Sequence, residues 1–311
     1  MKKFFQNKFA RVFLALMCCA LWGSAFPCIK IGYQWLHIEG AGSQILFAGY
    51  RFTLAGIFSY LFVCISEKRL AYPKADFLPA LAGQGILQTT SQYVCFYIGL
   101  AHTTGAKGSV INGSNAFFSI IMAHFLMKNE KMTVRKIVGC LIGFAGVLAV
   151  NLAPGAMDGG FSLMGEGLVL LCSFAYGTSS VTLKMISHRD TAAAITAYQL
   201  TFGGIVLILI GKLCGGNVTG FDGKSIILLL YMALLSTVAF CIWAALLKYN
   251  PVGQVAIFGF CIPIFGAAMS GIFLGENILT LQNLAALVLV SVGIIIVNRT
   301  DNTAKDAVAK C

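Results

Sequence analysis

Ten apolar runs follow one another along the chain with only short connections between them. They cover residues 11–32, 41–65, 77–100, 106–127, 134–152, 163–186, 192–213, 224–247, 251–274 and 280–298. A helix needs about 20 apolar residues to cross the hydrocarbon core of a bilayer. The strands of a membrane barrel alternate apolar and polar residues, whereas these runs are continuous. We therefore predict an all-α membrane protein with ten transmembrane helices and no separate aqueous domain.

The charged residues predict the orientation of these helices. They make up only 11% of the chain, against about 25% in soluble domains. Lys and Arg are enriched on the cytoplasmic side of membrane proteins. With the N-terminus in the cytoplasm, sixteen basic residues fall on that side: Lys2, Lys3, Lys8, Arg11, Lys68, Arg69, Lys74, Lys128, Lys131, Arg135, Lys136, Arg189, Lys248, Arg299, Lys305 and Lys310. Only Lys107, Lys212 and Lys224 fall on the other side.

This distribution predicts a multi-pass protein of the cell (inner) membrane with both termini in the cytoplasm. The net charge of +11 is then explained by the positive cytoplasmic loops, and we expect no nucleic-acid partner. The basic N-terminus and the apolar residues 12–21 resemble a signal peptide, but the apolar run continues to Ile31. We therefore interpret this segment as a retained first helix.

The two halves of the chain carry the same markers in the same order. The matched pairs are Trp22-Gly23 with Tyr176-Gly177, Lys30 with Lys184, Tyr50 with Tyr198, Thr53 with Thr201, Gly56 with Gly204, Tyr97 with Trp243, Glu130 with Glu276, Thr133 with Thr280, Gly146 with Gly293, and Asn151 with Asn298. Internal repetition of this kind indicates duplicated structural units. We predict two five-helix repeats, in domains 1–152 and 153–311.

Five is an odd number, so the second repeat must enter the membrane from the opposite side. The basic residues around Glu130 agree with this, because the corresponding segment around Glu276 has no Lys or Arg. Inverted repeats are typical of secondary transporters, in which the substrate site lies near the midplane between the repeats. The alternative interpretation is a duplicated scaffold without transport activity.

The duplicated unit, Trp22-Gly23-Ser24 with Lys30, and the ending Gly275-Glu276 followed by Thr280 and Gly293 resemble EamA-type transporters of the drug/metabolite transporter superfamily. The resemblance covers nearly the whole chain. It implies a ten-helix inverted fold and the export or exchange of small metabolites, among which amino acids are frequent. A broad-specificity drug or toxic-compound exporter is the alternative within this superfamily.

Polar residues inside the apolar runs are the candidate substrate-binding residues. Arg51 lies about ten residues into the second run, where an unpaired charge is costly. It should pair with backbone carbonyls or with a substrate carboxylate, because no Asp or Glu lies deep in a run; the alternative is that it extends towards the outer face of the membrane. The other candidates are amides and aromatic residues: Gln84, Gln88, Gln92, Asn112, Asn115, Tyr97, Trp22 and Trp243. The three glutamines recur every four residues, which predicts one helix face. They line a substrate path or link helices by hydrogen bonds.

Two prolines, Pro27 and Pro263, lie inside runs and predict kinks or gating points. Gly139-x-x-x-Gly143 predicts close helix packing, either inside the bundle or in a homodimer. Four scattered histidines and the absence of deep carboxylates argue against an enzyme, and we expect no cofactor and no metal. The expected partners are a small-molecule substrate and the lipid bilayer. The same absence of deep carboxylates favours exchange or facilitated diffusion over proton coupling.

Overall fold

The computed structural model describes residues 2–68, 70–103, 108, 111–151, 161–274 and 281–298, and within these ranges the protein is helical without any strand. After a short helix Lys2–Gln6 come α1 Lys8–Trp35, α2 Gly40–Glu67, α3, α4 Asn115–Leu126, α5 Val134–Asn151, α6 Leu163–Ile186, α7 Ala192–Leu213, α8 Gly223–Tyr249, α9 and α10 Leu281–Asn298. The predicted runs agree with these helices to within about three residues, apart from 106–127, part of which lies outside the described residues.

Three of these helices change their winding along their length: α6 begins with a π-helical turn over Leu163–Gly167, and α3 and α9 change in their interior. Helix α3 runs as an α-helix over Leu78–Gly85, as a π-helix over Ile86–Ser91 and again as an α-helix over Gln92–Ala101. Helix α9 consists of Val252–Ala256, a 3-10 segment Ile257–Phe260 and Cys261–Leu274. Mid-helix segments of this kind often mark functional positions. Both lie beside the cavity described below.

Five helices are long and apolar enough to cross a membrane by themselves, namely α1, α2, α6, α7 and α8. Val252–Gly266 and Leu284–Asn298 are shorter apolar helices. The chain is therefore a multi-pass helical membrane protein. Five of the described helix starts carry a side-chain cap that accepts a hydrogen bond from a backbone N–H in the first turn: Asn7 before α1, Thr133 before α5, Ser162 before α6, Thr191 before α7 and Asp222 before α8.

Helices α2 and α7 pack closely and run antiparallel. A methyl group built on Gly56 would lie 2.2 Å from Thr201 Oγ1, and one on Gly211 would lie 2.7 Å from the backbone nitrogen of Leu46. Contacts thus descend along α7 as they ascend along α2. The contact of Gly56 with Thr201 has a counterpart at Gly204, where a built methyl group would lie 2.5 Å from the backbone nitrogen of Thr53.

Helices α5 and α10 form a second antiparallel pair. A methyl group on Gly139 would lie 2.5 Å from Val297 Cγ2, and one on Gly146 would lie 2.7 Å from Val290 Cγ2. Gly143 faces the Phe260 ring in the same way. These small residues are therefore used for packing inside the bundle, which leaves the homodimer without support from this motif.

Helices α1 and α6 each pack on a helix from the other half of the chain. Gly23 of α1 faces the backbone of Phe265 and Gly266 in α9, and Gly177 of α6 faces the backbone of Phe118 in α4. Gly23 and Gly177 are matched markers in the sequence repeat. Glu276, Gly275 and Thr280, which the repeat also uses, lie outside the described residues.

Candidate functional site

A cavity of ≈ 100 Å³ lies between the two halves of the bundle. Its wall is formed by residues of seven helices: Trp22, Ala25, Phe26, Ile29, Arg51, Gln92, Tyr93, Phe96, Tyr97, Asn112, Asn115, Tyr176, Phe240 and Ile262. A single water needs about 10–15 Å³, so the space admits a small molecule or several waters. Six of the nine predicted substrate-binding residues line it: Trp22, Arg51, Gln92, Tyr97, Asn112 and Asn115.

Arg51 is the one charged residue in the described wall of the cavity. Its side chain is buried, with 3% of its surface exposed. Its Nε donates a hydrogen bond of 2.9 Å to Ser236 Oγ, and its Cζ lies 5.1 Å from the centroid of the Phe52 ring. Sequence reasoning anticipated carbonyl or substrate partners for Arg51 and missed this serine on α8.

Ser236 fixes the direction of the Arg51 side chain. Its own hydroxyl donates to the backbone oxygen of Met232 at 2.8 Å, which leaves a lone pair for Nε. No hydrogen bond from the terminal nitrogens of Arg51 is present within the described residues. A planar guanidinium held at Nε presents these terminal donors together, which suits a carboxylate.

Aromatic residues make up half of the described cavity wall. The Trp22 ring packs edge-on against Phe240 at 5.4 Å and against Trp243 at 5.0 Å between centroids. Trp243 itself is outside the wall, directly behind Trp22. The Tyr97 ring lies 6.2 Å from that of Tyr93. The predicted aromatic and amide cavity is therefore present around Trp22 and Tyr97, with Trp243 as support.

The structure separates the three glutamines of α3. Gln84 and Gln88 are buried outside the cavity, where Gln84 Nε2 donates to Gln88 Oε1 at 2.8 Å and to the backbone oxygen of Ser179 at 3.0 Å. Thr182 Oγ1 donates to Gln84 Oε1 at 2.6 Å. These bonds link α3 to α6. Gln84 and Gln88 therefore correspond to the second alternative given above for the glutamines, hydrogen bonds between helices. Gln92 alone lines the cavity.

The π-helix Ile86–Ser91 explains this separation. It lies between Gln84 and Gln92, and its wider turn rotates the following residues away from the regular four-residue register. Thr90 Oγ1 donates to the backbone oxygen of Gly203 on α7 at 3.2 Å, which holds this segment against α7. Nothing in the residue spacing indicates such a segment.

The remaining predicted residues lie close to the cavity. Asn112 Oδ1 accepts a weak bond from Cys172 Sγ at 3.9 Å. Asn115 Oδ1 would lie 3.3 Å from a methyl group on Gly259 of the 3-10 segment. Pro27 is buried within the uninterrupted helix α1, and Pro263 follows the 3-10 segment in α9. Both prolines are near the cavity without lining it.

A buried ion pair lies at the end of the bundle that carries the N-terminus. This pair was not predicted from the sequence. Lys184 Nζ lies 2.7 Å from Glu130 Oε1, and only 16% and 5% of the two side chains is exposed. The backbone N–H of Val252, the first residue of α9, donates to both carboxylate oxygens at 2.9 and 2.7 Å. Lys184 also donates to the backbone oxygen of Asn250.

This geometry corrects two interpretations. The position of Lys184 near the end of an apolar run predicts that it extends towards the membrane surface, whereas it pairs with Glu130. Glu130 lies just before a helix and close to Thr133, which predicts a role at that helix terminus, whereas it caps α9 of the other half. Helix α5 is instead capped by Thr133, whose Oγ1 accepts from the backbone N–H of Lys136 at 3.3 Å.

Further contacts close the same end of the bundle. Arg11 Nη1 donates to Gln254 Oε1 at 2.9 Å and to Asn250 Oδ1 at 3.3 Å. Side chains of α8 and α9 that neighbour these contacts in the sequence are almost completely buried: Leu246, Leu247, Val252, Val255, Ile257 and Phe258. Polar contacts and buried packing therefore join the two halves of the chain at this end of the bundle.

The sequence profile of the EamA-like transporter family matches residues 10–152 and again residues 163–299. The chain belongs to the EamA-like transporter family. The resemblance stated from the repeated markers is confirmed, and both matches together cover most of the chain.

Relatives of this EamA-like transporter carry transporter names. A Salmonella typhimurium protein called "Probable amino-acid metabolite efflux pump" is 26% identical over 91% of this chain and 93% of its own length. The "Uncharacterized transporter YvbV" of Bacillus subtilis is 28% identical, over 91% of this chain and 92% of its own. These names agree with a small-molecule transporter rather than an enzyme.

A solved structure, titled only "Crystal structure of protein", has the same fold. It superposes with a TM-score of 0.76 at 13% sequence identity, and the match covers 92% of this chain and 96% of the other. This EamA-like transporter is thus a membrane protein with a fold that an experimental structure also adopts, and it acts on a small molecule.

Proposed function

We propose that the chain is a secondary transporter of the cell membrane that moves an amino acid or a related carboxylate by alternating access. In this proposal, ten transmembrane helices form two inverted five-helix repeats that enclose the cavity around Arg51. Both termini face the cytoplasm. The end that carries the N-terminus, sealed by the Glu130–Lys184 pair, is then the cytoplasmic end.

The reciprocal glycine contacts support the inverted arrangement. A two-fold axis in the membrane plane runs matched helices of the two repeats in opposite directions. The antiparallel pairs α2/α7 and α5/α10 have this relation. The contact of Gly56 with Thr201 recurs as the contact of Gly204 with Thr53, and these four residues are matched markers in the repeat.

The closed end supports alternating access. The cavity lies between the halves, and the contacts that seal its N-terminal side also join one half to the other: Glu130 to Lys184 and Val252, and Arg11 to Asn250 and Gln254. A carrier of this kind exposes its site on one side at a time. Opening towards the cytoplasm then requires these bonds to break.

The proposed substrate class rests on one observation: Arg51 is buried and has no acidic partner among the described residues. Its Nε is bonded to Ser236, and the described wall of the cavity contains no Asp or Glu. A buried cation needs a counter-charge or a dense set of acceptors. A carboxylate on the substrate supplies that charge, whereas a cationic drug would be repelled.

The test is uptake and efflux of labelled metabolites by the protein in proteoliposomes. We expect transport of carboxylate-bearing compounds, abolished or strongly reduced in Arg51→Gln. Lys224→Gln is the matched control, because it removes an exposed positive charge at the start of α8, away from the cavity. Transport of cationic drugs that is unaffected by Arg51→Gln would instead establish the alternative, a broad-specificity drug exporter.

A second measurement addresses energy coupling. The described cavity wall has no carboxylate or histidine, which are the usual carriers of a coupled proton. We infer exchange or facilitated diffusion. Transport should then follow the substrate gradient and continue after a protonophore is added, and its collapse with the proton gradient alone would refute this mode.

A further inference from the structure

One atom of the cavity wall is an acceptor that the protein leaves unused. Gln92 Oε1 is buried and has no hydrogen-bond partner. Gln92 lines the cavity, whereas the buried glutamines one and two turns earlier in α3 are engaged with each other and with α6. A buried acceptor without a partner is destabilising, so its retention beside a cavity calls for a ligand that supplies the donor.

The position of Gln92 relative to Arg51 narrows the chemistry of that ligand. Both residues line the same cavity of ≈ 100 Å³. The centroid of the Phe52 ring lies 5.1 Å from Arg51 Cζ and 4.3 Å from the ring of Tyr93, the sequence neighbour of Gln92. Arginine donors and a glutamine amide are therefore available in one small cavity. A molecule that carries an anionic group and a hydrogen-bond donor a few bonds apart would engage both.

The other walls favour a positively charged donor. Trp22, Tyr93, Tyr97 and Phe240 line the cavity, and aromatic faces attract cations. A neutral amide oxygen with aromatic rings around it can hold an ammonium group without the deep carboxylate that the cavity lacks. The same rings accommodate an apolar side chain.

We propose that Gln92 is the specificity-determining residue that binds the substrate ammonium group, so that the site selects zwitterionic α-amino acids over carboxylates without an amine. This inference rests on the proposed function. In it, Arg51 held by Ser236 binds the carboxylate, and the amide oxygen of Gln92 accepts from the ammonium.

The experiment compares three probes that differ at one end each: L-phenylalanine, its deaminated analogue 3-phenylpropanoate and its decarboxylated analogue 2-phenylethylamine. Transport of each is measured in proteoliposomes, together with ligand-induced thermal shifts of the purified protein. For the wild-type protein we expect L-phenylalanine to exceed 3-phenylpropanoate by roughly tenfold to a hundredfold, the range for one unsatisfied buried acceptor.

The Gln92→Leu variant removes the acceptor at similar size. The ratio of the two probes should fall to near one through loss of L-phenylalanine binding, with 3-phenylpropanoate unchanged or improved. Gln92→Glu keeps an acceptor and should retain the preference for the amine. Gln34→Leu, at an exposed glutamine near the end of α1, is the control and should leave the ratio unchanged.

Two outcomes would overturn the assignment separately from the proposed function. If Gln92→Leu lowers transport of both probes equally, Gln92 is structural. If the ratio stays at its wild-type value, another group binds the ammonium. If Arg51→Gln abolishes transport of both carboxylates while the Gln92 variants change nothing, the proposed function stands and this inference fails. If the wild-type protein neither binds nor transports any of the probes, both fail together.

Discussion

Replacing Glu130 by glutamine removes the charge of the buried pair and keeps its shape. At 2.7 Å and an effective dielectric constant of about 20, the attraction between the two charges is about 6 kcal/mol before desolvation is subtracted. Loss of one partner of a buried pair typically costs about 3–5 kcal/mol. The glutamine oxygen still accepts from Val252, and Lys184 is 16% exposed and keeps its bond to Asn250. We therefore expect a loss at or just below the low end of this range, about 2–3 kcal/mol.

In the proposed carrier, that loss changes the equilibrium between the closed and the open state of the N-terminal end by roughly 30- to 150-fold. Hydrogen exchange of the protein in nanodiscs measures this equilibrium, because in this proposal the Val252 amide is hydrogen-bonded only while the N-terminal end is closed. Exchange in the segment around Asn250 and Val252 should accelerate by this factor in Glu130→Gln. The antiparallel α2/α7 pair should keep its protection.

Lys184→Gln should produce a similar change, and the double variant should add little to either single variant, because contacting residues are energetically coupled. Asp76→Asn is the matched control. It breaks the pair with Arg189 at the same end, but these side chains are 67% and 33% exposed, so an effect of at most about threefold is expected. Unchanged exchange around Val252, or equal acceleration throughout the bundle, would refute the assignment of this pair as a gate.

Three further predictions concern stability of the purified protein. Gly56→Ala should destabilise by about 1–3 kcal/mol through the clash with the opposing threonine, whereas Gly83→Ala, with no atom within 4 Å of the added methyl group, should be neutral or stabilising; equal thermal midpoints would contradict this. Gln84→Leu should lower the thermal midpoint but leave the selectivity for the amine unchanged, unlike the cavity glutamine; a change in probe ratio would count against its structural role. Hydrogen bonds from Ser225, its side chain first and its backbone N–H second, lower the pKa of Asp222. The stabilisation from this cap is therefore complete above the ordinary aspartate pKa and is lost as the pH falls through the lowered one, so Asp222→Ala should lower the thermal midpoint at neutral pH but much less in strong acid.

Helix positions and family membership follow from the sequence because they depend on properties that each residue carries locally. Apolar run length sets the helices, and the repeated markers, such as Trp22-Gly23 and Tyr176-Gly177, identify the family. Six of the fourteen described residues of the cavity wall were also predicted, since a polar residue inside an apolar run must face protein or a cavity. Arg51 and Gln92 were found in this way.

The partners of these side chains depend on which helices pack against each other, and the residue pattern does not contain that information. Ser236 has no distinguishing neighbour in the sequence, so its bond to Arg51 could not be anticipated. The π-helix in α3 breaks the four-residue register that joined Gln84, Gln88 and Gln92. Glu130 was assigned to its own helix terminus because capping is usually local, whereas its partner lies more than a hundred residues away.

Lys30, which the sequence repeat matches with Lys184, lies near the other end of its helix. It is exposed and forms no ion pair within the described residues, which do not include Glu276, the counterpart of Glu130. If the two repeats are inverted as proposed, Lys184 and Lys30 occupy equivalent positions at opposite ends of the bundle. A contact at one end then favours one state of the carrier and its counterpart favours the other, so substitutions at Lys184 and at Lys30 should bias the equilibrium in opposite directions.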